Sequence, residues 1–323
     1  MSRRALAACL VAALAAAPAL AQTRPARPAA PAPAAPPAAA APRPEPPSAD
    51  SAYAAYQRGH YLTAFREATE RVEALADPVS MTLLAELHAA GIGIPQNEER
   101  ALGWYRLAAE RGDRNAIFAL GMLHVDGRAG QTRDPALAKP HFERAAGLGH
   151  IAAAYNLGLL ALAGHGGPRD PAAAAQWFQK AADLGSADAQ YAYAVLLKDG
   201  NGVPADLPRA AVYMGRAAAQ DLLEAQIDFA VMVFNGQGLP KDEARAAALF
   251  RKAALRGNPL AMNRYARLLA AGRGTAPDPQ KAAQWHMTAH MLGAPDGWLQ
   301  EFVKGMDPVL RDAAERGARE WLR

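Results

Sequence analysis

The chain has 323 residues, with 35 lysines and arginines, 31 aspartates and glutamates, and a formal charge of +4 at pH 7. Residues 1–47 hold five of the arginines and one glutamate, leaving 30 bases and 30 acids in the remainder. That neutral body excludes a basic platform for nucleic acid, and the single cysteine, Cys9, excludes a disulfide-stapled scaffold.

Met1–Ala21 reads as an export signal. Arg3 and Arg4 precede the apolar run Ala5–Ala17, and Ala19-Leu20-Ala21 offers a small-residue cleavage site before Gln22. The run is too short for a membrane-spanning helix. Leu6-Ala7-Ala8-Cys9 imitates a lipoprotein box but lies too close to the arginines to act as one. The expectation is cleavage after Ala21, a periplasmic or secreted protein, and no stable membrane insertion afterwards. Residues 22–50 form a linker dominated by proline and alanine, with Arg24, Arg27, Arg43 and Glu45. Such a segment favours extended polyproline-like conformations, at about 3.1 Å per residue. It reads as a spacer or as a disordered tail.

Residues 51–78 read as a divergent helical pair: Tyr53, Ala54 and Tyr56 share one helix, Gly59-His60 turns the chain, and Ala64, Phe65, Ala68 and Val72 mark the next. Residues 79–294 then repeat one unit six times. A small residue recurs at Ala85, Gly121, Gly158, Ala194, Ala230 and Ala266. A turn glycine recurs at Gly91, Gly127, Gly164, Gly200, Gly236 and Gly272, and a bulky residue at Trp104, His141, Trp177, Tyr213, Leu249 and Trp285. Every step is 36 residues except one of 37, accounted for by the turn at residues 127–131. Three columns sharing a period indicate a solenoid.

Within the third unit, Ala153, Leu157, Leu160 and Ala161 form an apolar helical stripe. Gly164 and Gly166 suit the helix end. Asp170-Pro171 opens a second helix, with aspartate as N-cap and proline where its missing N–H costs nothing. Asp134-Pro135 and Asp278-Pro279 repeat the device, and Asn97 and Asp242 cap without proline. Ala174, Trp177, Phe178, Ala181 and Ala182 bury the second helix. One such hairpin cannot form a core alone; stacked neighbours supply it. Residues 295–323 carry Trp298 and Phe302, and a last helix beginning at Asp307-Pro308 and running through Leu310, Ala314 and Trp321, which would cap the stack.

The pattern A-x-x-x-L-G…G-x-G-x-x-x-D-x-x-x-A-x-x-W-[YF]-x-K-A-A-x-x-G resembles the Sel1-like repeat, a relative of the tetratricopeptide repeat. Ala153, Tyr155, Leu157, Gly158, Trp177, Phe178, Lys180, Ala181, Ala182 and Gly185 carry it best, with Trp104, Tyr105, Ala108, Ala109 and Gly112, and Phe250, Lys252, Ala253, Ala254 and Gly257. The resemblance implies an all-α fold, a right-handed superhelical solenoid of antiparallel helix pairs. It implies a scaffold, adaptor or regulator. One branch of the family carries a disulfide in each repeat; this sequence lacks it, and the β-lactam-related activity of that branch does not carry over.

Catalytic signals are sparse. Ser51, Ser80 and Ser186, the serines beyond the linker, sit in neither G-x-S-x-G nor S-x-x-K. The glycine turns follow helices and form no phosphate loop. His286 and His290, at i and i+4, share a helix face that could hold zinc, but Met287 stands where a general-base glutamate would be. His286 also fills the Tyr105/Phe178 packing column. His88 and His124 share a column in adjacent repeats and read either as a pH-responsive pair or as aromatic-like packing.

The strongest binding signal is the position after the small residue: Glu86, Met122, Leu159, Val195, Val231 and Arg267. It is apolar through the middle units and charged at both ends. In the resemblance it faces a groove lined by first helices. Asn156, Asp228 and Arg264, three positions earlier, face the same side, with Tyr155 and Tyr191 at its edge. Such a surface suits an extended peptide or a partner helix; alternatively the column is buried between neighbouring repeats. The expected function is therefore an exported adaptor for a protein or peptide, needing no cofactor. An envelope hydrolase or metal-binding protein using His286 and His290, and a periplasmic regulator of a sensor kinase, are the alternatives. Intrachain stacking accounts for the columns, so a monomer is expected.

Overall fold

The computed structural model describes residues 46–323; the signal and all of the linker before Pro46 lie outside the described residues. Among these residues the chain is all helical, without strands. It forms two compact units, meeting in sequence at Arg169–Asp170. The first contains α1 (Ala49–Gln57), α2 (Tyr61–Leu75), α3 (Pro78–Ala90), α4 (Glu98–Glu110), α5 (Arg114–Asp126), α6 (Pro135–Gly147) and α7 (Ile151–Ala163). The second contains α8 (Pro171–Asp183), α9 (Ala187–Asp199), α10 (Leu207–Ala219), α11 (Leu223–Asn235), α12 (Glu243–Leu255), α13 (Pro259–Ala271), α14 (Pro279–Met291), α15 (Gly297–Lys304) and α16 (Pro308–Trp321). Within each unit consecutive helices pack against one another as far as α15, and α16 lies back along α14. This is the solenoid of helix pairs that the repeat columns predict.

Local chemistry sets each boundary. Every second helix of a repeat begins at an Asn or Asp whose side chain accepts a backbone N–H two or three residues on: Asn97, Asp134, Asp170, Asp206, Asp242 and Asp278. First helices use Asp77, Asp113, His150, Ser186 and Asn258 in the same way, whereas α11 starts at Leu222 with no side-chain cap. Each first helix ends on a left-handed glycine; Gly236, at φ 71°, returns its N–H to the Met232 carbonyl.

The small-residue column faces the partner helix. A Cβ on Gly121 would meet the ring of Phe142 at 2.5 Å, and Ala85, Ala194, Ala230 and Ala266 are fully buried. The position after the bulky column is buried in every second helix, at Tyr105, Phe142, Phe178, Met214, Phe250 and His286, and in the fourth repeat Tyr213 of the bulky column is buried as well. Trp104, Trp177 and Trp285 are only half-buried. Burying each large apolar side chain contributes about 1.5–3 kcal/mol.

Neighbouring repeats meet where the second glycine of the turn lies on the previous repeat's second helix. A Cβ on Gly202 would collide with the Pro171 carbonyl, on Gly238 with that of Leu207, and on Gly274 with that of Glu243. All three glycines are left-handed. The longer turn of the second repeat instead places Ala129 at φ 54° and anchors its N–H on Glu98 Oε2 at 2.9 Å.

Two outcomes test this account. Gly238→Ala is expected to cost about 3 kcal/mol or more, since strain and collision act together. Gly293→Ala, also left-handed but with open space around the added carbon, should cost about 1–2 kcal/mol in the same denaturant melts. The second outcome concerns His150, whose Nδ1 caps α7 by accepting the Ala153 N–H at 3.1 Å while its ring stacks on Phe118. Burial, aided by the charge of Arg114, holds its pKa down to about 4. The unfolded imidazole takes its proton first, near 6.5. His150 therefore contributes stability that is complete above about pH 6.5 and is lost as pH falls toward 4, up to about 3 kcal/mol. His150→Ser should keep the cap and flatten that part of the stability–pH curve, measured by denaturation at pH 7.5 and 4.5.

Candidate functional site

The residues following the small column share one face of the first helices. In the first unit they are Glu86 on α3, Met122 on α5 and Leu159 on α7, and Tyr53 on α1 joins them through its hydroxyl, 3.4 Å from both Glu86 carboxylate oxygens. Met122 and Tyr155 are half-buried. Leu159 is only 4% exposed and Asn156 only 8%. The Asn156 amide donates to Ala152 O of its own helix at 2.8 Å, which turns it away from solvent. On α7, therefore, the predicted floor is packed inside, and Tyr155 is what remains at its edge.

In the second unit, Val195 on α9 and Val231 on α11 are half-buried. Tyr191 donates its hydroxyl to Asp228 Oδ2 at 3.1 Å, tying α9 to α11 across successive repeats. Arg264 on α13 is exposed. Arg267 is committed to Asp296 through two bonds of 2.9 and 2.7 Å and lies 5.3 Å from the Trp298 ring centroid. The structure thus brings Tyr191, Val195, Asp228 and Val231 onto two neighbouring helices, with apolar side chains flanked by a hydrogen-bonded carboxylate.

Sequence reasoning missed two features of this face. Asp188 and Glu224, in the first turns of α9 and α11, extend its acidic side; burial first, and then Glu224, raise the Asp188 pKa. Glu86 is more deeply set than its place at a charged end suggests. Burial pushes its pKa up to about 7; the Tyr53 hydrogen bond opposes the shift, Asp113 adds to it, and no cation enters. The signal was present, because Tyr53 occupies the Glu86 column once the first hairpin is read as a shortened repeat.

The histidines behave as packing residues. His88 is buried, edge-on to Phe65, and burial followed by the Arg100 charge lowers its pKa. His124 stacks on His141 with ring centroids 5.7 Å apart. His286 is buried, with Nδ1 2.9 Å from Asn263 Oδ1, and the Asn263 amide donates to Ala294 O at 2.8 Å. His290 is exposed. Among the described residues no group of three or more His, Cys, Asp or Glu side chains converges as a metal site, and no helix is long and apolar enough to cross a membrane.

Comparison with known proteins gives the same architecture. The Sel1 repeat model matches six times, at residues 78–113, 114–150, 151–186, 187–222, 223–258 and 259–286. The crystal structure of a Sel1 repeat protein from Oxalobacter formigenes is similar, at 28% identity and a TM-score of 0.65, covering 76% of this chain and all of that one. So is c5321, a protective antigen of uropathogenic Escherichia coli with an SLR fold, at 23% identity and a TM-score of 0.53, covering 85% of this chain and 68% of that one. No curated protein matches.

If His286 is a packing residue held by Asn263, Asn263→Ala should cost about 1–3 kcal/mol by stranding the imidazole, and His290→Ala should lie within about 0.5 kcal/mol of the parent. Stoichiometric zinc in the purified protein, lost on His286→Ala, would overturn that reading.

Proposed function

From the premise that this chain belongs to the Sel1 repeat family, whose repeats mediate protein–protein interaction, we propose that it is an exported, non-enzymatic adaptor. It binds an extended protein segment along the first-helix face, in envelope assembly or regulation. The observation that carries the reading is the Tyr191–Asp228 bond beside Val195 and Val231. It holds two neighbouring first helices in register and leaves half-buried valines between polar groups. An extended segment can place alternate side chains on such a surface, with apolar contacts giving affinity and the carboxylates selecting basic residues. The proposed export rests on the composition of Met1–Ala21, with its arginines, apolar run and small-residue cleavage site.

The test is capture by crosslinking from an envelope extract, comparing the parent with Val195→Asp/Val231→Asp. Both valines retain some exposure, so the variant is expected to keep its helicity and melting while losing the protein that the parent recovers. A cooperative loss of several kcal/mol would instead identify the valines as core, because an unpaired buried charge is that costly. Identical capture by a folded variant would remove the face from consideration.

A further inference from the structure

At the end of the first-helix face nearest α1, a carboxylate is set into the protein without a cation. The hydrogen bonds to Glu86 come from one tyrosine hydroxyl at 3.4 Å, a long contact for an O–H···O bond. A partly buried carboxylate loses hydration unless it is paired, and an arriving guanidinium offsets that cost. Beside it stands an aromatic row from the first hairpin, its rings packed on one side against the core and partly exposed on the other. Tyr53 meets Tyr56 edge-on at 6.3 Å between centroids, and Tyr56 meets Tyr61 at 5.7 Å. Aromatic rows next to a carboxylate suit proline-rich chains carrying arginine, because a polyproline helix is already extended and loses little entropy on docking.

This chain carries such a segment immediately before α1. Residues 22–45 contain Arg24-Pro25, Arg27-Pro28 and Arg43-Pro44, with one acidic residue, Glu45. Pro25, Pro28 and Pro31 recur every third residue, the spacing that aligns side chains along one edge of a polyproline helix. The point of departure is fixed, since Arg71 donates to the Pro47 carbonyl at 3.1 Å. Tyr53 lies about 9 Å along α1 from Pro47. From Pro46, Arg43 has about 10 Å of chain besides its own side chain, and Arg24 and Arg27 have several times more.

We propose that residues 22–45 dock on the α1–α3–α5 end of the first-helix face, placing an arginine on the Glu86 carboxylate against Tyr53. The inference rests on reading that face as a peptide-binding surface, and it makes the chain's own segment the first occupant a partner must displace.

The experiment uses the chain from Gln22 to Arg323, which has no cysteine, labelled with a nitroxide at Ala29→Cys. Amide signals of Tyr53, Glu86 and Met122 are expected to broaden several-fold more than that of Arg66, an exposed residue on α2. The broadening should disappear in Glu86→Gln and in Arg24→Gln/Arg27→Gln/Arg43→Gln. The triple substitution lies outside the folded body and keeps the test decisive should Glu86→Gln perturb folding. The same triple variant should raise the Glu86 carboxyl titration midpoint by about one pH unit, because it removes an opposite charge. Equal broadening at Glu86 and Arg66, or a midpoint unchanged by the arginine substitutions, would overturn the proposal. No partner takes part, so this result is independent of any capture experiment.

Discussion

The architecture of the second unit depends on a backbone-to-backbone contact: the second glycine of the turn pressed against the first residues of the preceding second helix. At Gly202, Gly238 and Gly274 there is no room for a single carbon. At these three turns the contact joins repeats where no side chain intervenes, and its geometry is nearly the same at each. The side chains are then left to vary on other surfaces. Cross-repeat polar links near the turns, such as Glu98 with Arg128 and Glu243 with Arg273, are exposed ion pairs. Exposed pairs of this kind add little stability, and their main effect is to orient the turn. The rigidity of the stack belongs to packing density and close backbone approach, while the first-helix face carries the variation that recognition needs.

Much of this was legible in the letters. The columns gave the period, the N-caps gave the starts of the second helices, and the glycines gave the ends of the first. Those signals are local, and local rules read them well. What escaped depended on neighbours. His150 is an unusual cap: it fills the column of Asp113, Ser186 and Asn258, but only the structure shows its ring stacked on Phe118 and its Nδ1 accepting from the first turn of α7. Trp177 and Phe178 were both read as burying their helix, and the structure separates them: Phe178 is enclosed while Trp177 stays half-buried, since a one-residue rotation of about 100° decides which edge of the helix meets its partner.

The site was legible in outline only. Its column of residues is correct as a column, but exposure varies along it: Leu159 and Asn156 are packed inside, whereas Val195 and Val231 are half open. A periodic pattern assigns a direction to each side chain and says nothing about how closely the next repeat stands. Glu86 illustrates the same limit from the other side. Its charge suggested a solvated end of the groove, yet Tyr53, 33 residues earlier, covers it. The first hairpin is shorter than a 36-residue repeat, so the pairing emerges only when that hairpin is aligned as a shortened unit.

The fifth repeat departs from the capping rule, with a consequence for how order spreads along the chain. At its start Asp221 takes the left-handed position that glycine holds elsewhere, at φ 66°, and Leu222 offers no cap. Asp221 is restrained instead by Gln226 of α11 at 2.9 Å, by Lys252 of α12 at 3.1 Å and by Arg256, just past the end of α12, at 2.8 Å. Nucleating a helix is the costly step in forming it. The start of α11 is therefore held by contacts from outside its first residue, one of them from its own Gln226, whereas the other first helices of the repeats begin on a side-chain cap. Exposed ion pairs contribute little, so among the six repeats the first helix that carries Asp228 and Val231 has the least self-supported start.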